Sequence, residues 1–234
     1  LKNVEQLVVV SENMKAELSF YVSSNCQIHI ISQFINLPEE LNYNHRNETS
    51  IEILTVTNFG FKGKSEALKL ALKQFLADER VFTTNISWSI CGAGHFMQDF
   101  QAAISQNILP KNVNIILHGY QSEISLFYRN ADLFLYTSFI DALPNVVLEA
   151  MSFGLPVLVN LEMWTILDQS IRNRCYFFDL SNSVSLMDQL ATIIDEPFSD
   201  IYIANRDFIR TNFSKREIGS KWHNLLNSVL NISS

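Results

Sequence analysis

Apolar runs and helix-period segments alternate along most of this 234-residue chain, and this alternation constrains the fold more than any other feature. A short apolar run between turn residues reads as a buried strand. An amphipathic segment between two such runs supplies the crossover that parallel strands need. The runs are Gln6–Val10, Gln27–Ile31, Ile51–Thr57, Ile86–Cys91, Val113–Leu117, Leu133–Tyr136, Pro156–Val159 and Tyr176–Phe178. Hydrophobic residues make up 47% of the chain, enough for a packed core and too many for intrinsic disorder.

Between the runs, helical periodicity covers about Ser65–Leu76, a segment from Gly94 to about Gln106, and about Ser122–Arg129. A further helix opens near Pro144, and others fill most of Val184–Ile194, Asp200–Thr211 and Lys215–Leu230. Ser11 is placed to N-cap a helix reaching about Phe20, with Glu12 in its first turn. From Leu37 to Ser50 the composition turns polar, which is linker chemistry. The expected class is α/β: a Rossmann-like parallel sheet of about six strands with helices on both faces. The expected division is residues 1–36 as the end of one domain, 37–50 as a linker and 51–234 as a second domain. The opening at Leu1, within a strand approach, reads as a chain cut from something longer.

Seventeen Lys and Arg against 24 Asp and Glu give a net charge of −7. Nucleic-acid binders rely on basic surface, so a nucleic-acid partner is not expected. No apolar run reaches the roughly 18 residues that crossing a bilayer requires, and no basic segment precedes an apolar one as in a secretory leader. Three well-separated cysteines (Cys26, Cys91, Cys175) read as free thiols in a reducing, cytoplasmic setting. The five histidines show no metal-ligand spacing, so no metal site is expected.

In open parallel sheets, ligands sit beyond the carboxyl ends of the strands. Four loops fall on that edge: Asn58–Lys64, Gly92–His95, His118–Gln121 and Thr137–Leu143. The most informative segment runs from Ser138 to Val157. In it Asp141 stands in the loop eight residues before Glu149. With a helix opening at Pro144, Glu149 lies about a turn and a half in. A carboxylate there can accept two hydrogen bonds from a sugar diol. The free N–H groups near Asn145 and Val146 face the same crevice and suit a diphosphate. On spacing alone an exposed helix Glu and a turn-forming Asp explain the pair equally well. Gly92 and Gly94 are common after any strand and matter here only because they fall on the ligand edge.

The same segment resembles the signature of family-4 retaining glycosyltransferases of the GT-B type, Glu-Gly-Phe-x-x-x-x-x-Glu-Ala-Met-Ala-x-Gly-x-Pro-Val. Asp141, Ala142 and Leu143 stand at its first three positions. Glu149-Ala150-Met151, Gly154 and Pro156-Val157 match outright. Leu126–Leu135 is similar to the family's Leu-Tyr-x-x-Ala-Asp-Val-Phe-Val stretch, His118-Gly119-Tyr120 to its Leu-Gly-Tyr turn, and Val10-Ser11-Glu12 to its Val-Ser-Glu element. The resemblance spans nearly the whole chain in order. It implies that residues 51–234 are the nucleotide-sugar-binding, C-terminal half of a GT-B fold.

The resemblance implies a role for each matching position. Glu149 binds ribose hydroxyls of a nucleoside diphosphate sugar, Asp141 contacts the donor sugar, and Lys64, with Lys62 as rival, neutralises the diphosphate. Tyr120 sits beside the base, and Leu143, Pro144, Asn145 and Val146 line the donor. The donor is a substrate, so no cofactor and no metal is implied. A glycan or lipid-linked acceptor is held by another domain, which carries with it peripheral membrane association at the inner face and a role in polysaccharide synthesis. The chain alone then binds donor without completing transfer.

The departures are specific. Members usually place an Arg about six residues before the Lys, where this chain has Asn58. The first acidic position holds Asp in place of Glu, and a Gly-Gly-x-Pro-Glu turn is missing near Met163-Trp164. Two other function classes therefore stay open: a non-catalytic nucleotide-sugar-binding module, and a GT-B-like nucleotide-sugar epimerase.

Overall fold

A computed structural model describes residues 4–38, 50–79, 85–139, 141–181, 185–196 and 198–230. Most of the expected linker, 39–49, lies outside the described residues. The chain opens with β1 (Gln6–Val9), α1 (Glu12–Leu18) and β2 (Gln27–Ile30), the strands pairing in parallel as a two-stranded sheet. Ser11 caps α1 as expected, its hydroxyl accepting from Met14 N at 3.2 Å.

The second sheet is built from β3 (Ile51–Val56), β4 (Ile86–Cys91), β5 (Val113–Gly119), β6 (Leu133–Tyr136), β7 (Val157–Asn160) and β8 (Cys175–Phe178). Its order is β5-β4-β3-β6-β7-β8, all parallel. That order reverses between β3 and β6, the switch point of a doubly wound sheet. Beginning at β3, the crossovers are α2 (Lys62–Ala77), α3 (Met97–Ser105), α4 (Ile124–Asn130), α5 (Asn145–Ser152) and α6 (Gln169–Arg172). Helices α7 (Leu186–Asp195), α8 (Phe198–Asn212) and α9 (Lys215–Leu230) follow β8.

Two cores sandwich this sheet. On one face Leu68, Leu72 and Phe75 of α2, Phe100 of α3 and Leu190 of α7 cover Ile53, Trp88 and Leu135. On the other, Tyr128, Val147, Met151 and Ile209 cover Leu54, Phe134, Tyr136 and Val159. Each of the fully buried Phe, Trp and Leu side chains contributes about 1.5–3 kcal/mol of transfer free energy. A polar chain through this interior is closed: Trp88 Nε1 donates to Thr55 Oγ1 at 3.0 Å, which donates to Leu135 O at 2.9 Å.

The sequence reading is corrected at three points. Lys62 to Lys64 form the first turn of α2 instead of a loop. Gly63 is accommodated there because in a first turn its N–H has no intrahelical partner to lose. Strand β5 continues to Gly119, because a register shift beside Ile90 lets Cys91 pair with that glycine, so His118 lies in the strand. Helix α6, a single turn, is too short to carry a periodic signal.

Candidate functional site

The carboxyl ends of β3 and β6 open into a cleft of about 440 Å³ lined by Phe61, Lys62, Gly63, Lys64, Ser138, Phe139 and Asp141. Helix α2 begins in its wall at Lys62, and α5 begins at Asn145, four residues beyond Asp141; neither has a side-chain cap. Their first N–H groups and positive dipole ends are suited to an anion. Lys64 and Asp141 meet: Lys64 Nζ lies 3.2 Å from Asp141 Oδ2. Lys62, on the first residue of α2, lines the same cleft, and its side chain is exposed.

Asp141 is held from several directions. The Tyr136 hydroxyl donates to Oδ2 at 2.6 Å, and Ala142 N donates to Oδ1 at 2.9 Å. Burial, then the Asp141 charge, pushes the Tyr136 phenol far above its ordinary range, so it stays a donor at any working pH. The loop is anchored at its base by Asn160, whose side-chain amide donates to Thr137 O at 3.3 Å and Ser138 O at 3.2 Å. From the N-cap of α1, Ser11 Oγ donates to Ala142 O at 3.3 Å.

Glu149 lies on α5, outside the lining of this cleft. The buried Tyr128 hydroxyl donates to its Oε2 at 3.0 Å. Desolvation, followed by the Glu149 charge, holds that phenol well above its usual pKa. Among the described residues no donor reaches Oε1. Asn145 Nδ2 donates to Gln33 Oε1 at 2.7 Å, and Val146 is half-buried. Pro144 precedes the helix at its N-cap, one residue outside the position expected for it. Leu143 and Pro144 are buried, and the Leu143 side chain belongs to the core.

Other expected residues take different work. Asn58 is exposed, and its Oδ1 accepts from Gly60 N at 2.8 Å. Gly92 and Gly94 let the β4–α3 loop lie against the β3–α2 loop. A Cβ on Gly92 would stand 1.9 Å from Thr57 O, and one on Gly94 2.2 Å from Phe59 C. Both have positive φ, at 144° and 146°. Neither lines the cleft. Tyr120 is 79% exposed, its ring free beside the end of β5.

Sequence reasoning missed Tyr136, Tyr128 and Asn160. A hydroxyl ending the otherwise apolar run Leu133–Tyr136 was the available signal for the first, since it falls on the ligand edge.

A cation and a carboxylate thus meet at the switch point of a doubly wound sheet, the place where open α/β sheets hold their ligands. Residues 38–206 match the family described as Glycosyl transferases group 1, and the chain belongs to that family. No curated protein matches it by sequence. Solved structures give the fold. A glycosyltransferase from Rickettsia africae ESF-5 superposes with a TM-score of 0.77 at 18% identity, over 98% of this chain and 64% of that one. Sucrose-phosphate synthase from Thermosynechococcus elongatus gives 0.76 at 17% identity, over 100% and 60%. A variant of TarM from S. aureus in complex with fondaparinux, alpha-GlcNAc-glycerol and UDP gives 0.73 at 17%, over 95% and 44%. The expected GT-B architecture is therefore correct. The chain spans between 44% and 64% of the length of these three structures. Among the described residues no helix is long and apolar enough to cross a membrane.

Proposed function

We propose that the chain forms the donor site of a retaining, family-4 glycosyltransferase. It would transfer a hexose-type sugar from a nucleoside diphosphate to an acceptor hydroxyl, in glycan or surface-polysaccharide synthesis. The carrying observation is the Lys64–Asp141 contact at 3.2 Å in a cleft whose wall includes the uncapped N-terminus of α2. The C1–O bond to the diphosphate breaks, the acceptor oxygen bonds C1 on the same face, and the acceptor proton departs with the phosphate. Negative charge grows on the leaving diphosphate, and Lys64, Lys62 and the α2 and α5 N–H groups stabilise it, the N–H groups from fixed positions and Lys64 by turning from Asp141. Asp141 takes a hydroxyl of the sugar. Glu149, with Oε2 committed to Tyr128, offers Oε1 to the ribose. The acceptor, a glycan or a lipid-linked sugar, belongs to a part of the enzyme outside this chain, at the cytoplasmic side of a membrane. The UDP bound by the TarM variant supports a nucleotide donor of this kind.

Thermal unfolding against UDP, GDP, ADP and their hexose conjugates tests the reading. A ligand at 100 times its Kd stabilises by about 2.7 kcal/mol. In a chain of this size that is a rise of roughly 5–10 °C. The rise is expected with one base only and is lost in Glu149→Gln. No rise with any of them, from a cooperatively folding sample, overturns the reading.

A further inference from the structure

Asp141 stands on a loop, and a loop carboxylate selects a substrate hydroxyl only when its own orientation is fixed. A carboxylate offers about four lone-pair sites. Here Tyr136 and Lys64 both reach Oδ2, at 2.6 and 3.2 Å, and Ala142 N takes one site on Oδ1. Oδ2 is filled, and among the described residues Oδ1 keeps one site open. The donors differ in rigidity. Lys64 ends a flexible stem whose ammonium an incoming diphosphate attracts. Tyr136 is 3% exposed and lies on β6, between β3 and β7, with its ring packed in the core among α5 and α8 residues. Ser138, which lines the cleft, hydrogen-bonds the same hydroxyl. When Lys64 turns to a diphosphate, Tyr136 is the donor that still fixes Oδ2.

We infer that Tyr136 is a positioning residue: its buried hydroxyl holds Asp141 so that Oδ1 accepts a single hydroxyl of the donor's sugar, and so it sets affinity for the sugar and not for the nucleotide. This inference rests on the donor-site reading above. It separates two tyrosines that look alike, since Tyr128 holds Glu149 and so acts on the nucleotide.

The test is calorimetric titration of the chain with UDP, GDP and ADP, each beside its glucose conjugate. Tyr136→Phe keeps the ring and its packing. It is expected to weaken the conjugate by roughly 3- to 10-fold, the range for one hydrogen bond, while the parent diphosphate binds as in wild type. Tyr128→Phe, by contrast, weakens diphosphate and conjugate together. In an Asp141→Ala background Tyr136→Phe adds nothing, because the carboxylate it orients is gone. A loss of fold quality alone would weaken both ligands and survive in that background. An unchanged ratio of the two affinities in folded Tyr136→Phe, or an equal effect with and without Asp141, overturns the inference and leaves the donor site standing. A wild-type chain that binds no diphosphate and no conjugate overturns both.

Discussion

Replacing Lys64 with Met separates what this side chain does for the fold from what it does for a ligand. The Lys64 and Asp141 side chains are 20% and 25% exposed, between a surface pair and a buried one. Surface pairs contribute about 0–1 kcal/mol, and breaking a fully buried pair costs about 3–5 kcal/mol. Asp141 keeps the Tyr136 and Ala142 donors, so no orphaned charge is left behind. The expected cost to the ligand-free chain is therefore about 1 kcal/mol, a fall of roughly 2–4 °C in Tm. A diphosphate loses more. One charge-assisted bond at about 1.5–3 kcal/mol converts to a loss of roughly 10- to 150-fold in affinity. The uncharged nucleoside should bind as before. Calorimetry with nucleoside, diphosphate and sugar conjugate, alongside a melting curve, reads all three quantities. Diphosphate binding within about threefold of wild type, or an equal loss for the nucleoside, would falsify the role.

Three further perturbations probe the scaffold around the site. Gly92→Ala puts a Cβ 1.9 Å from Thr57 O at a φ of 144°; it should cost about 2 kcal/mol or more, seen as a Tm at least roughly 4 °C lower. An unchanged melting curve would remove the glycine's packing role. Asp168 accepts from Glu12 N at 3.1 Å, and desolvation, outweighing that bond, raises its pKa above the ordinary 3.8. The folded state therefore holds its proton to higher pH than the unfolded chain, and stability falls as pH rises from 3.8 through the folded pKa. Asp168→Asn, which keeps an acceptor, should melt higher than wild type at pH 7 and lose that advantage near pH 3; a lower Tm at pH 7 refutes the reasoning. Burial pushes the Cys91 and Cys175 thiols up to about 12, leaving both protonated and unreactive at pH 8. Disulfide-exchange titration of the native chain should modify Cys26 quickly and the other two only on unfolding.

The sheet was legible because its strands are short apolar runs and its crossovers have a helical period. The β6 and β7 runs, buried at every position, could hardly be read otherwise. Lys64 and Asp141 were legible as residues but not as a pair. Their contact spans 77 residues and depends on α2 starting at Lys62, which Gly63 concealed. The Tyr136–Asp141 bond spans only five positions and still escaped. It forms because Asn160, more than twenty residues downstream, ties down the backbone of Thr137 and Ser138. The Ser11–Ala142 bond, across 131 residues, leaves no local trace in either segment.

Asn58 shows how a departure from a pattern is better read from the structure than from the missing charge. An Arg there would offer a third cation to a diphosphate, beside Lys62 and Lys64. A guanidinium has no acceptor, however, and the loop uses Asn58 as an acceptor: its Oδ1 takes Gly60 N at 2.8 Å, closing an Asx turn just before α2. That turn sets where Phe61 and the first residues of α2 lie, and hence where Lys62 and Lys64 enter the cleft. The chain thus carries fewer positive charges at this edge but holds the remaining ones on a preformed loop and a helix terminus. On the donor-site reading, binding a diphosphate would then need less ordering of the site, which would offset part of the lost Coulomb attraction. By the same reasoning Asn58→Arg does not simply restore a clamp, because it removes the turn that aims the two lysines already present.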